Sequence, residues 1–156
     1  MAAKNTPEQQ TKERELVMTR LFDAPRSLVF KAWTEPERIK QWWGPRGFVT
    51  LSCELDFRPG GLWRTRSKAP DGREYVSRSV FREIVEPERL VFTYTWEDAE
   101  GKPQHETLVR ITFAEQHGKT VLTFQQGVFE SVTSRDEHGE GWSSAFELLT
   151  EYLPHA

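Results

Sequence analysis

The spacing of apolar residues changes along this chain, and the changes mark out its elements. Between His138 and Pro154, Trp142, Ala145, Phe146, Leu149, Tyr152 and Leu153 recur at steps of three and four. That spacing places them on one side of a helix. Ser143, Glu147 and Glu151 fall on the other side, and Pro154 stops the helix. From Phe48 onward the period is two. Val49, Leu51, Cys53, Leu55 and Phe57 alternate with polar residues and predict a half-buried strand. Leu62 to Lys68 carries Trp63 and Thr65 on one face, and Arg73 to Val85 is a longer strand of mixed pattern. Leu90, Phe92, Tyr94 and Trp96 form the inner set of the next strand. His105, Thr107, Val109, Ile111 and Phe113 alternate again, and Thr120 to Gln126 closes the series. Arg58-Pro59-Gly60-Gly61, Pro70-Asp71-Gly72 and Gln116-His117-Gly118 are turns between these runs. No proline interrupts a strand.

The first third reads differently. Met1 to about Lys12 is polar and predicts a disordered tail over residues 1–12, leaving residues 13–156 as one domain. Glu15 to Phe22 is a strand. Asp23-Ala24-Pro25 opens a short helix with Pro25 at its first position, and Leu28, Val29, Ala32 and Trp33 give it an inner side. Thr34 and Glu37 have the spacing of a capping box for a second short helix, which carries Ile39, Trp42 and Trp43 and ends at Gly44-Pro45. Ser134 and Glu137 repeat that spacing, so the long helix is expected to begin at Ser134, with Gly139 and Gly141 in its first turns. The architecture is therefore α+β. A curved antiparallel sheet of about seven strands wraps a long C-terminal helix, and two short helices follow the first strand.

Composition narrows the function classes. One domain is the default for 156 residues. Lys and Arg number 21 against 24 Asp and Glu, and the resulting net charge of −3 is spread along the chain, which argues against a nucleic-acid surface. Cys53 is the only cysteine, so no intrachain disulfide is available and a reducing, cytoplasmic setting is expected. The polar N-terminus lacks the apolar core of a signal peptide, and no apolar run approaches the ~18 residues that suggest a membrane span.

Catalytic and metal signatures are absent. His105, His117, His138 and His155 are scattered, so no metal site is expected. Gly139-Glu140-Gly141 lacks the third glycine and the βαβ setting of a dinucleotide site, and Pro59-Gly60-Gly61 lacks the Lys-Ser/Thr of a phosphate loop. No cofactor is expected. Cys53 falls in an apolar set and reads as a core thiol. No catalytic residue is assigned. What remains is the aromatic content, six Trp and ten Phe among the 156 residues. Trp63, Phe92, Tyr94 and Trp96 on the sheet face Trp142, Phe146 and Leu149 on the helix, with Trp33 and Trp43 at one end. Either these rings pack an ordinary core, or they line a pocket in which Thr65, Ser77, Ser79, Tyr94, His105 and Gln125 orient a ligand. Which of Trp33, Trp42 and Trp43 faces such a cavity stays open.

Several segments together resemble a known family. They are Ala24-Pro25 with Val29-Phe30 and Trp33, Thr34-Glu35-Pro36-Glu37 through Trp42-Trp43-Gly44-Pro45, Arg58-Pro59-Gly60-Gly61 with Trp63, Ile84 to Leu90, and Gly141-Trp142. Spread from Leu16 to Leu153, they resemble the START-like (SRPBCC, Bet v 1-like) superfamily, and within it the activator of heat-shock protein 90 ATPase homologue group. The resemblance implies a helix-grip fold with a cavity for a small apolar or amphipathic molecule. Its alternatives are a co-chaperone-like module that binds a chaperone in a stress response, and a cavity enzyme or self-sacrificing resistance protein. A monomer and a homodimer are both compatible with it.

Overall fold

The computed structural model describes residues 6–156. Its strands are β1 (Leu16–Phe22), β2 (Val49–Leu55), β3 (Leu62–Lys68), β4 (Glu74–Val85), β5 (Arg89–Trp96), β6 (Thr107–Gln116) and β7 (Lys119–Gly127). The helices are α1 (Pro7–Glu13), α2 (Arg26–Thr34), α3 (Pro36–Ile39) and α4 (Val132–Tyr152), with a 3-10 turn at Leu153–His155. The strands form one curved sheet in the order β1-β7-β6-β5-β4-β3-β2, every neighbouring pair antiparallel. Strands β2 to β7 follow one another as hairpins, and β1 joins the far edge through β7. The helix α4 lies along the inner face and buries Trp142, Ala145, Phe146 and Leu149. This is the expected α+β helix-grip arrangement.

Five local expectations are corrected. Residues 7–12, placed by sequence in a polar tail, fall in α1, while residues 1–5 lie outside the described residues. The helix α1 buries nothing. A reciprocal Thr6–Gln9 capping box and Pro7 in its first turn supply local order without a core contact. Pro25 is the N-cap of α2 rather than its first residue. Thr34 does not cap α3. Its hydroxyl donates to the Phe30 carbonyl one turn back in α2, which removes it from the next helix. The helix α4 starts earlier than expected: Ser131 caps it by accepting from the Ser134 N–H, so Gly139 and Gly141 lie well inside it. At Gly139 a Cβ would press on Leu16 Cδ1 at 3.2 Å, so the missing side chain lets α4 approach β1.

The fifth correction concerns β2. Its alternation predicted Val49, Leu51, Cys53, Leu55 and Phe57 on one inner face. In the sheet, Thr50 pairs with Ser67 but Ser52 pairs with Arg66, so Leu51 is an extra residue in a bulge. The bulge reverses the faces. Beyond it Cys53 and Leu55 sit opposite the buried Thr65 and Trp63, whereas Val49 and Leu51 are 60% and 46% exposed. The strand ends at Leu55, and Phe57 lies beyond it. Cys53 is partly buried, and burial pushes its thiol above the ordinary value.

Candidate functional site

Two aromatic assemblies meet on the inner face of the sheet. The first is closed. Trp33 of α2 is fully buried, with ring centroids 4.7 Å from Trp42, 6.3 Å from Trp43, 5.9 Å from Trp142 and 6.1 Å from Phe146. Trp63, Phe81 and Phe92 pack together beside it, with Trp43 bridging to Trp63 at 5.0 Å. The indole N–H of Trp42 donates to the Ala32 carbonyl at 2.9 Å, which ties the α3 end back onto α2.

The second assembly is open. A cleft of about 1180 Å³ lies where the N-terminal half of α4 passes the ends of β3, β4 and β5. The Gly44–Phe48 loop forms another wall. That loop is pinned to α4 by the Arg46 N–H, which donates to Ser144 Oγ at 2.8 Å. Six rings line the cleft as a continuous belt: Phe48–Tyr75 at 5.9 Å, Tyr75–Trp96 at 6.2 Å, Trp96–Tyr94 at 5.6 Å, Tyr94–Trp142 at 5.6 Å and Trp142–Trp43 at 5.3 Å.

Hydrogen bonds hold two of the three indoles in this wall. The Trp142 N–H donates to Gln126 Oε1 at 2.8 Å, and the Gln126 amide donates to Thr107 Oγ1 at 2.9 Å. The Trp96 N–H donates to His138 Nε2 at 3.0 Å. An indole can only donate, so Nε2 is the bare nitrogen of that histidine. His138 Nδ1 then carries the proton and donates to the Ser134 carbonyl at 2.7 Å. This sequence of bonds fixes Trp96 to the first turns of α4.

The buried acid of the rim is paired. Glu97, whose side chain is 3% exposed, accepts two hydrogen bonds from Arg64 at 2.7 and 2.9 Å, and Arg78 lies 3.4 Å away. The Arg64 hydrogen bond holds the Glu97 carboxyl below its ordinary value, against the opposing effect of burial. The loop after it folds back through Asp98 N–H to Lys102 O and Gln104 N–H to Trp96 O. Burial pushes the Tyr94 phenol well above its ordinary value, and a hydrogen bond with Ser77 opposes this without overcoming it. Tyr94 is therefore a neutral hydroxyl at the cleft floor.

The structure divides the residues singled out from the sequence. Trp43, Tyr94, Trp96 and Trp142 line the cleft. Trp33, Trp63, Phe92, Phe146 and Leu149 are buried in the closed core, where rings occupy the space a ligand would need. His105 is exposed on the loop before β6, its Nε2 2.7 Å from the Val128 carbonyl. It precedes β6 rather than belonging to its alternating inner face. Gln125, offered as a polar contact, is exposed, and its neighbour Gln126 is the buried one. Thr120, Leu122, Phe124 and Gln126 share the buried face, so the parity of β7 carried that signal. Sequence reasoning also missed Phe48, Tyr75 and His138. For His138 a signal existed, since it lies four residues before Trp142 on one helical face. Among the described residues, no group of three or more His, Cys, Asp or Glu could hold a metal ion. No described helix is long and apolar enough to cross a membrane.

A seven-stranded antiparallel sheet gripping a long C-terminal helix, with a cleft at one end of the grip, defines the START-like class of helix-grip proteins. Residues 23–154 match the family model described as "Activator of Hsp90 ATPase homolog 1-like protein", and the chain belongs to that family. Solved structures agree in fold. A protein of Nitrosomonas europaea is 26% identical with a TM-score of 0.78, the match covering 92% of this chain and 96% of that one. The AHSA1 protein of Silicibacter pomeroyi is 22% identical with a TM-score of 0.81, covering 90% and 97%. A protein of Arthrobacter aurescens, solved by NMR, is 24% identical with a TM-score of 0.83, covering 94% and 89%. No curated protein matches the sequence.

Proposed function

We propose that this protein binds a small amphipathic molecule in the cleft between α4 and the ends of β3, β4 and β5. The observation that carries the reading is the belt of six aromatic rings around about 1180 Å³ of space. Ligand sites are commonly concave, mostly apolar and roughly 300–1,000 Å³ in size, with few polar groups. The fixed Trp96 and Trp142 support a wall that is formed before ligand arrives. Binding would draw on burial of ligand surface, about 25 cal/mol per Å² before ordering costs. Tyr94, kept neutral, supplies a hydroxyl at the floor rather than a base.

The test is native mass spectrometry of the purified protein, followed by tryptophan-fluorescence titration with a panel of amphipathic compounds. The expected result is a compound that shifts the emission of the wild type, and whose effect shrinks in Trp96→Phe. A protein that arrives empty and ignores the whole panel would overturn the reading. The family match favours a second reading, a co-chaperone-like module that binds a chaperone. It predicts stimulation of a heat-shock protein 90 ATPase by this chain, with the cleft variants unaffected.

A further inference from the structure

From what the cleft wall leaves unsatisfied, we infer that its ligand is an organic cation whose charge is spread over alkyl or aryl groups. The inference rests on the cleft being a ligand site. It begins with the donors, which are largely spent. The N–H groups of Trp96 and Trp142 are committed to His138 and Gln126. Arg64 is committed to Glu97, and Arg66 faces Glu74 at 3.3 Å. A bound anion would therefore find no unpaired guanidinium among the described lining residues.

The remaining charges point the same way. Asp98 accepts from the backbone N–H groups of Glu100 and Lys102, and Glu100 pairs with Lys102 at 3.4 Å. Both ring nitrogens of His138 are engaged, Nε2 by the Trp96 N–H and Nδ1 by the Ser134 carbonyl. Glu137 is the one ionised side chain of the lining without a partner among the described residues, and it projects from the exposed side of α4 at the mouth. The uncompensated charge of the cleft is therefore negative.

The rings complete the argument. No two rings of the belt stack face to face. Tyr75–Trp96, Tyr94–Trp96 and Trp43–Trp142 meet at 76°, 89° and 87°. Phe48 and Trp96 are half-buried and Tyr75 is exposed, so these three rings present surface to the cleft, and aromatic faces attract cations. A wall of π faces with one free carboxylate suits a delocalised or N-alkylated cation. A primary ammonium would need several directional acceptors, whereas this wall offers mainly faces.

The experiment uses three compounds of nearly one shape. Benzyltrimethylammonium is the cation, neopentylbenzene its neutral carbon isostere, and benzylsulfonate the anion. Affinities are read by tryptophan fluorescence and calorimetry on the full chain. The expected order is cation first, about tenfold tighter than the neutral isostere, and anion last. The preference should fall as salt is added, and Glu137→Gln should reduce it by about twofold. Glu137 is exposed and outside the core, so this variant folds. Equal affinity for all three compounds, or a preference for the sulfonate, would overturn the charge inference while leaving the cleft as a site. Binding of none of the three, nor of any amphipathic panel compound, would overturn the cleft reading itself.

Discussion

The core around Trp33 and the cleft around Trp96 are built from the same kinds of ring, yet one is filled and the other is not. Trp33 is fully buried with rings on every side, and its N–H has no hydrogen-bond partner. Trp96 is half-buried, and its N–H is bonded to a helix residue. The contrast teaches how this fold makes space. Where α2 and α3 plug the grip, three tryptophans from the plug fill the gap between sheet and helix. Beyond the plug, the α3–β2 loop stands in for a helix, and the gap remains open. Ring count therefore says little about a cavity. What matters is whether a packed element lies over the rings.

The largest expected effect is at the closed end. Trp33→Ala should cost about 3–5 kcal/mol of stability, measured by urea unfolding, because the surrounding rings cannot collapse into the void. Trp96→Ala should cost about 2 kcal/mol, since its ring is only partly buried. It should still abolish the ligand-induced fluorescence change. Equal costs at the two tryptophans would mean the cleft is filled in solution and the contrast is false.

A smaller effect is expected at the cleft rim. Glu97→Gln should cost about 1–2 kcal/mol, discounted because Arg64 and Arg78 are about one-third exposed. The folded-state pKa of Glu97 is lowered from its ordinary 4.5. Its contribution is thus full above that ordinary value and is lost as the pH falls through the lowered one. Stability curves of wild type and Glu97→Gln should separate near neutrality and converge in acid. A gap that persists at the lowest pH would show that shape, not charge, is what Glu97 supplies.

The smallest effect is at the β2 edge. Leu51→Thr should change stability by no more than about 0.5 kcal/mol, because the bulge already turns Leu51 outward. A loss above 1 kcal/mol would place Leu51 in an interface that the isolated chain does not show.

Much of the fold was legible because its signals are local. A step of three and four in Trp142, Ala145, Phe146 and Leu149 can only be one face of a helix. Alternation in β5, β6 and β7, cut by turn residues, gives hairpins in sequence order. Pro70-Asp71-Gly72 could be read from its own backbone requirements. These features depend on neighbours a few residues away, and the sequence determines them by itself.

The candidate site was legible only in part, because it depends on which elements pack over which. The sequence placed Trp33, Trp43, Trp63 and Trp142 together but could not tell a filled volume from an empty one. That outcome depends on the path of α2 and α3 across the sheet. One bulge at Leu51 undid the clearest alternation in the chain, and it shows only through the partner strand β3. His138 acquired its tautomer from Trp96, 42 positions away in sequence. Glu97 acquired its two guanidiniums from neighbouring strands. Tertiary structure alone decided these points, since each is set by a contact between residues that no local pattern connects.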